Sequence, residues 1–245
     1  MTPIGPELLL YFVIGLVSGA ISLYSVGASF FSVPAMALAG LPPATALATN
    51  RFGVLGGAVG GTTGFSRLGI VPWRKMLPYA IVVALTSVVG ALAFSQYSGL
   101  LDTKSLAILL LFSLAASFAA RKYLSKVSLG SPASLALAAL LGLYVGAINV
   151  GYAVFLTILL VFSGFSFLEA AIGRKVIVLA SEILSLTIFS LNPTLIDWPA
   201  GIALFAGSFT VSVALASHAV KLKDSTFEKL FYAFALVLGV LLLFK

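Results

Sequence analysis

The sequence predicts an all-α polytopic membrane protein built from two repeats of five apolar segments. Of its 245 residues, 61% are hydrophobic and only 9% are charged. Its mean hydropathy of +1.17 exceeds what a soluble domain with a solvated surface carries. The apolar runs are long and do not alternate with polar residues, which favours helices over the short strands of a membrane barrel. We therefore expect a multi-pass protein of the plasma membrane, with the lipid bilayer as its solvent.

Charge and composition exclude several classes of function. The net charge is +7, from 14 Lys and Arg against 7 Asp and Glu, but the basic residues do not form the dense runs of a nucleic-acid-binding protein. The chain has no Cys and a single His, and it contains no P-loop and no nucleophile–base–acid set. We expect no nucleic-acid partner, no metal, no cofactor and no enzymatic activity.

Hydropathy, together with Gly and Pro residues that mark segment ends, divides the chain into ten apolar segments. They cover residues 7–24, 27–40, 43–65, 74–97, 103–120, 132–149, 150–164, 166–191, 197–217 and 226–244. A short polar stretch that begins at Arg121 separates five segments from the other five. We therefore expect an N-terminal repeat over residues 1–120, a cytoplasmic linker over 121–131 and a C-terminal repeat over 132–245.

The two halves of the chain match each other at a fixed spacing, which indicates an internal duplication. Residues 15–21 match residues 142–148, and after a three-residue gap the offset is 124. At that offset Gly27, Phe31, Gly40 and Ala46 fall on Gly151, Phe155, Gly164 and Ala170. At the same offset Asn50 and Arg51 correspond to Arg174 and Lys175. Both halves therefore carry charge inside equivalent apolar segments.

Loop charge favours inverted repeats over parallel ones. If all ten segments cross the membrane, the basic loops at residues 67–75, 121–126 and 221–229 lie on one side, which is then the cytoplasm. Five crossings per repeat make the repeats inverted. The alternative is that the short segments 27–40 and 150–164 are re-entrant, since a full span needs about 20 residues. The repeats would then be parallel.

Each short segment follows a break rich in small residues, and the two breaks are candidate halves of one anion site. Unwound backbone at membrane depth is tolerated where it lines a cavity, and a half-helix N-terminus offers N–H groups to an anion. The alternative is that these glycines only let helices approach closely. The candidate ligands from the two breaks are Ser25, Gly27, Ser29, Asn149, Gly151 and Tyr152.

Three cations lie about eight residues inside their apolar segments, roughly 12 Å from the segment ends. They are Arg51, Arg174 and Lys175. Such charges are costly in a bilayer and favour a functional role, in which they would hold a small anion with help from Asn50 and Thr49. The alternative is that the long side chains snorkel to the headgroups.

Two acids share a segment with Arg174 and Lys175. Glu182 follows Lys175 by seven residues, which places both on one helix face. Glu182 is therefore a candidate counter-ion or proton-coupling residue. Glu169 lies near the start of the segment and is expected at the membrane interface.

The pattern of short segments and glycines resembles that of the sulfite exporter TauE/SafE (TSUP) family of membrane permeases. The matching features are the glycine-bounded short segments Gly27–Gly40 and Gly151–Gly164, the Ala-rich turn Ala44–Thr49, the entries at Gly69–Trp73 and Asp197–Trp198, and the helices with Gly90 and Gly207. The resemblance implies a carrier of small sulfur-containing anions, such as sulfite or organosulfonates, usually directed outward.

Residues and resemblance together predict a secondary transporter, acting as an exporter of small sulfur-containing oxyanions. The anion is expected near the membrane midplane, at the interface between the repeats. A passive anion channel and a membrane assembly or lipid-binding component are the alternatives. The sequence is compatible with a homo-oligomer.

Overall fold

The computed structural model describes residues 5–24, 27–121, 129–221 and 236–244, apart from 238 and 242. Ser25, most of the linker and most of the tenth segment lie outside this part. The described chain is all-α, with one short 3₁₀ turn after its fourth helix. The helices are α1 (Pro6–Tyr24), α2 (Ser29–Leu38), α3 (Pro43–Arg67), α4 (Trp73–Tyr97), α5 (Thr103–Arg121), α6 (Ser131–Ala147), α7 (Tyr152–Phe162), α8 (Phe167–Phe189) and α9 (Trp198–Ala219).

The bounds of these nine helices agree with the predicted segments to within two residues at either end, and the predicted all-α class is confirmed. Local sequence explains the boundaries. Pro43 stands at the start of α3, where its missing N–H costs nothing. Ser166 and Glu169 form a capping box at the start of α8. Gly40, Gly69 and Gly164 adopt positive φ just beyond α2, α3 and α7, the conformation that ends a helix.

The helices form two packed groups, and each group contains one helix from the other half of the chain. α9 packs along α1 and α3, whereas α4 packs along α6 and α8. Glycines permit these close contacts. A Cβ on Gly56 would lie 2.4 Å from the backbone oxygen of Phe205 in α9, and a Cβ on Gly146 would lie 2.0 Å from that of Ser87 in α4. α3 and α8 join the two groups.

The register of the contacts fixes the direction of each helix. Gly15 meets Leu204 and Gly19 meets Ser208, so α1 and α9 run the same way, as do α3 and α9. The pairs α4 with α6 and α4 with α8 are likewise parallel. α3 and α8 are antiparallel, because Arg51 contacts Glu182 whereas Gly61, further along α3, contacts Lys175. Helices α1, α3 and α9 therefore oppose α4, α6 and α8.

The outer surface is apolar in the way a lipid-facing surface must be. Exposed side chains recur every three or four residues along one face of α4, and this face carries Leu77, Ile81, Leu85, Val89 and Leu92. By length and composition alone, Pro6–Leu23, Trp73–Leu100 and Trp198–Ala219 suffice to cross a membrane. A stripe of this size facing water would drive aggregation, so α4 faces lipid.

The close packing of α6 on α4 gives a stability prediction. Gly146→Ala places a methyl group against the backbone of Ser87, which cannot move aside without shifting α4. We expect a loss of about 1–3 kcal/mol in stability from overpacking, measured as a lower midpoint of thermal unfolding in detergent. Gly99→Ala is the matched control, since its Cβ would meet nothing within 4 Å. Equal midpoints for the two variants would contradict the described α4–α6 contact.

Candidate anion-binding cavity

The two short helices begin inside the protein, at turns that only small or adaptable residues can form. Gly27 has φ +129° just before α2, and Gly151 has φ +72° just before α7. Both values lie in a region that glycine enters without a steric penalty. Asn149 is the one described non-glycine residue with positive φ, at +55°, and Asn tolerates this conformation better than most residues. The predicted breaks are therefore real turns, and α2 and α7 have only 10 and 11 residues.

A small cavity, with a volume of about 30 Å³, lies between these turns and helices α1, α3 and α8. Its wall is built from small residues, hydroxyls, one amide and two cations. The lining residues are Ser18, Ser22, Gly27, Ala28, Ser29, Ser32, Asn50, Gly53, Val54, Ala58, Tyr152, Ala153, Arg174, Lys175 and Val178. The cavity thus brings both charged residues of the α8 pair to polar groups from both halves of the chain.

The two cations on this wall are held from inside the protein. The Arg174 guanidinium donates to the backbone oxygens of Ala153 and Ser22, at 3.3 and 3.2 Å, and to the Thr157 hydroxyl at 3.2 Å. The Lys175 ammonium donates to the Ser22 hydroxyl at 3.0 Å. In the part of the chain that the structure describes, no carboxylate lies within ion-pair distance of Lys175. A buried ammonium facing a cavity is suited to an anionic ligand.

Neutral donors and acceptors from α2 and α3 also line the cavity. The Asn50 side chain accepts a hydrogen bond from the Ser32 hydroxyl and donates one to Ser29 Oγ at 3.1 Å. These bonds tie α3 to the first turns of α2. The Ser29 and Ser32 hydroxyls are fixed in place, so their orientation is set before a ligand arrives.

Arg51 does not line the cavity but lies in a closed network of its own. Its guanidinium lies 3.3 Å from a Glu182 carboxylate oxygen, with both side chains at most 1% exposed. It also donates to the backbone oxygens of Val145, at 2.9 Å, and of Gly146, at the C-terminal end of α6. Its guanidinium carbon lies 4.5 Å from the centre of the Phe189 ring, in cation–π contact. Asn149 Nδ2 completes the network by donating to Glu182 at 2.8 Å.

The structure therefore brings together six of the predicted site residues. Gly27, Ser29, Asn50, Tyr152, Arg174 and Lys175 line the cavity. The others have different neighbours. Thr49 Oγ1 accepts a bond from the backbone N–H of Asp197, Gly151 is the N-cap of α7, and Arg51 and Asn149 contact Glu182. Ser25 lies outside the described residues.

The structure decides one alternative about the charges and changes one expectation. Snorkelling of the cations is wrong, because Arg51, Arg174 and Lys175 are all buried and their described partners lie inside the protein. Glu182, the predicted coupling residue, is the counter-ion of Arg51 and not of Lys175, because antiparallel α3 and α8 bring Arg51 to the far end of the shared face. Glu169 lies at the surface as expected, where it pairs with Lys75 at 2.8 Å.

Sequence analysis missed three cavity serines, Ser18, Ser22 and Ser32. A signal for them exists, because Ser18 and Ser22 are one helical turn apart on an otherwise apolar face of α1, and Ser29 and Ser32 are similarly spaced on α2. Within the described residues, no three His, Cys, Asp or Glu side chains lie together as a metal site would require.

The chain is similar to several proteins described as transporters. "Probable membrane transporter protein ORF9" of Sinorhizobium sp is 28% identical over 205 residues, which are 81% of this chain and 77% of the relative. "Probable membrane transporter protein" of Haemophilus influenzae is 29% identical over 233 residues, 91% of this chain and 89% of the relative. "Probable membrane transporter protein YfcA" of Escherichia coli K12 is 26% identical over 203 residues, 81% and 75% of the two chains. No solved structure matches significantly.

The family model described as "Sulfite exporter TauE/SafE" matches residues 8–242, nearly the whole chain. This match confirms the resemblance that the glycine-bounded segments indicated. Together with the relatives, it confirms a transporter, not an enzyme, in the plasma membrane. The chain belongs to the sulfite exporter TauE/SafE family and is a multi-pass membrane transporter.

Proposed function

We propose that the protein is a secondary carrier that exports small sulfur-containing oxyanions, such as sulfite or organosulfonates, and binds them in the cavity beside Arg174 and Lys175. One observation carries the proposal: two neighbouring cations, each buried, reach a polar cavity between the two halves of the chain. The sulfur-containing substrate class is proposed because the family is described as one of sulfite exporters.

The chemistry of the cavity wall suits an oxyanion. Taking a charge out of water costs several kcal/mol in practice, and a bound counter-charge offsets that cost. Arg174 presents a planar guanidinium and Lys175 a compact ammonium, and both form short charge-assisted bonds to oxyanion oxygens. The Ser29 hydroxyl and the Asn50 amide add neutral donors, whereas the Ser22 hydroxyl already donates to the backbone oxygen of Gly19. A small anion with several oxygens could use both cations and both neutral donors at once.

The closed network around Arg51 favours a carrier over a passive channel. Arg51 and Glu182 link α3 to α8, and the Arg51 guanidinium also holds the end of α6. This layer contains a buried ion pair and lies next to the cavity, because Asn50, the neighbour of Arg51 in α3, lines that cavity. A carrier needs such a closed layer on one side of its substrate, whereas a channel needs a continuous aqueous path.

We also propose that residues 1–120 and 132–245 are inverted repeats. Helix directions support this arrangement, since α1 and α6, which begin the two halves, run in opposite directions. α1 and α3 run the same way, so the chain must return between them through α2. The same holds for α7 between α6 and α8. A re-entrant α2 would leave α1 and α3 antiparallel.

Topology can be tested by cysteine labelling, because the native chain has no Cys. Inverted repeats place Lys221 in the cytoplasm and Leu191 outside. We expect a cysteine at Leu191, which is 75% exposed, to react with an impermeant maleimide in intact cells. A cysteine at Lys221 should react only after the membrane is opened. The reverse pattern would support parallel repeats.

The transport function can be tested in proteoliposomes that contain only this protein and lipid. We expect saturable flux of labelled sulfite, accelerated by unlabelled sulfite on the opposite side. Counterflow of this kind distinguishes a carrier from a channel. Empty liposomes and liposomes with a heat-inactivated sample control for leakage. Protein-independent flux, or flux that rises linearly with sulfite concentration, would contradict the proposal.

A further inference from the structure

We infer, on the basis of the carrier function proposed above, that the Glu182 carboxylate is a built-in anion. Glu182 occupies the position next to Arg51. The equivalent position in the other repeat lies next to Lys175, and there the transported anion binds. Ala58 is the residue that keeps this second place open, and it is therefore a specificity-determining residue of the cavity. We call Arg51 with Glu182 and Asn149 the Arg51 layer, and Lys175 with Ala58 and Ser22 the Lys175 layer.

The internal repeat makes the two layers equivalent. At the offset of 124 residues, Arg51 corresponds to Lys175, and Ala58 corresponds to Glu182. The cation and its partner position are seven residues apart in both helices, which is about two turns. The first half therefore has a methyl group where the second half has a carboxylate.

Contacts in the structure follow the same correspondence. Asn50 bonds to Ser29 in α2, while its counterpart Arg174 bonds to Ala153 in α7, and Ser29 and Ala153 are themselves 124 residues apart. Arg51 reaches across to α6 and Lys175 reaches across to α1. Helices α3 and α8 thus present equivalent positions to equivalent neighbours. Glu182 faces Arg51 in the structure. By the symmetry of the repeats, the equivalent residue Ala58 faces Lys175.

The two layers differ in what fills the space beside the cation. In the Arg51 layer the Glu182 carboxylate fills it, with 0% of its side chain exposed. In the Lys175 layer Ala58 is also buried, and Ala58 and Lys175 both line the cavity, with no carboxylate among the lining residues. By the symmetry of the repeats, the cavity beside Lys175 suits an anionic group bearing several oxygens, which is the class to which sulfite, sulfate and sulfonate head groups belong.

This equivalence predicts that a glutamate at position 58 imitates bound substrate. In Ala58→Glu the new carboxylate should pair with Lys175 as Glu182 pairs with Arg51. Ala58→Gln is the matched control, with nearly the same volume and no charge. The readout is the midpoint of thermal unfolding in detergent, with sodium sulfite or sodium sulfate against sodium chloride of equal ionic strength. A ligand that binds only the folded state raises this midpoint.

Wild-type protein should gain stability from sulfite or sulfate. Ala58→Glu should have a higher midpoint than Ala58→Gln without anion, and its apparent anion affinity should be about 10- to 100-fold weaker than wild type, as expected for competition with one charge-assisted pair. An Ala58→Glu protein that responds to the anion like wild type would overturn the inference, as would a midpoint no higher than that of Ala58→Gln. A wild type without any anion response would overturn the proposed function as well.

A second pair of variants tests the Arg51 layer without adding bulk. Lys175→Met should lose the anion response. Adding Glu182→Gln to that variant frees Arg51 from its own carboxylate, and an anion response should return. No response in the double variant would overturn the equivalence of the layers. A response retained in Lys175→Met alone would instead move the transported anion away from Lys175 and contradict the proposed site.

Discussion

Arg51→Met is expected to destabilise the folded protein by about 3–5 kcal/mol, the range seen when one partner of a buried ion pair is removed. The variant leaves the Glu182 carboxylate buried without its counter-charge, and the backbone oxygens of Val145 and Gly146 lose their donor. Methionine keeps the length of the side chain but supplies neither charge nor N–H group. The measurement is thermal unfolding in detergent, with the midpoint compared to wild type.

Two further variants separate the ion pair from a general effect of charge. Lys75→Met removes a cation of the exposed pair with Glu169, in which Lys75 is 63% exposed, and should leave the midpoint nearly unchanged. The double variant Arg51→Met with Glu182→Met should recover much of the lost stability, because no isolated charge remains buried. If Arg51→Met and Lys75→Met behaved alike, Arg51 would not be paired inside the protein.

Lys175→Met is expected to lower the transport of sulfite by about 10- to 100-fold, the effect of losing one charge-assisted hydrogen bond to a buried anion. Its ammonium has one hydroxyl partner, Ser22, and no acidic partner among the described residues. The variant removes a buried charge instead of stranding one, so we expect the protein to remain folded. Initial rates of sulfite uptake into proteoliposomes measure the effect.

Lys75→Met is again the matched control, because it changes the net charge by the same amount at the surface. Its uptake should equal that of wild type. Lys175→Arg keeps the charge but replaces a compact ammonium by a larger planar group, and should retain part of the activity. Unchanged uptake in a folded Lys175→Met protein would remove Lys175 from the substrate site.

The fold was largely predictable because membrane helices have a clear sequence pattern, a long apolar run. Long apolar runs ended by glycine or proline gave helix bounds such as 43–65, against Pro43–Arg67 in the structure. The sequence did not predict that α9 packs with α1 and α3 from the first half of the chain, or that α4 packs with α6 and α8 from the second half. This packing depends on which glycine faces meet, and Gly56 or Gly146 could have packed against any helix of suitable shape.

The site was predicted in part, for a reason that the charges illustrate. A buried charge in an apolar segment indicates function, which is how Lys175 and Arg51 were found. Which acid pairs with which cation depends on how the helices pack against each other. The seven-residue spacing along α8 favoured a pair between Glu182 and Lys175. In the structure the antiparallel helix α3 brings Arg51 to Glu182 instead. The cavity serines carry no charge, so their spacing of about one helical turn on α1 and α2 is a weaker signal than a cation inside an apolar segment.

The most direct test of the central claim is a structure determined in the presence of selenate, a heavier analogue of sulfate whose selenium can be located by anomalous diffraction. We predict one selenium peak in the cavity, within hydrogen-bonding reach of the Lys175 ammonium and the Arg174 guanidinium through its oxygens, and none at Arg51. A selenium peak only at the outer surface, or one that persists in Lys175→Met crystals, would contradict the account.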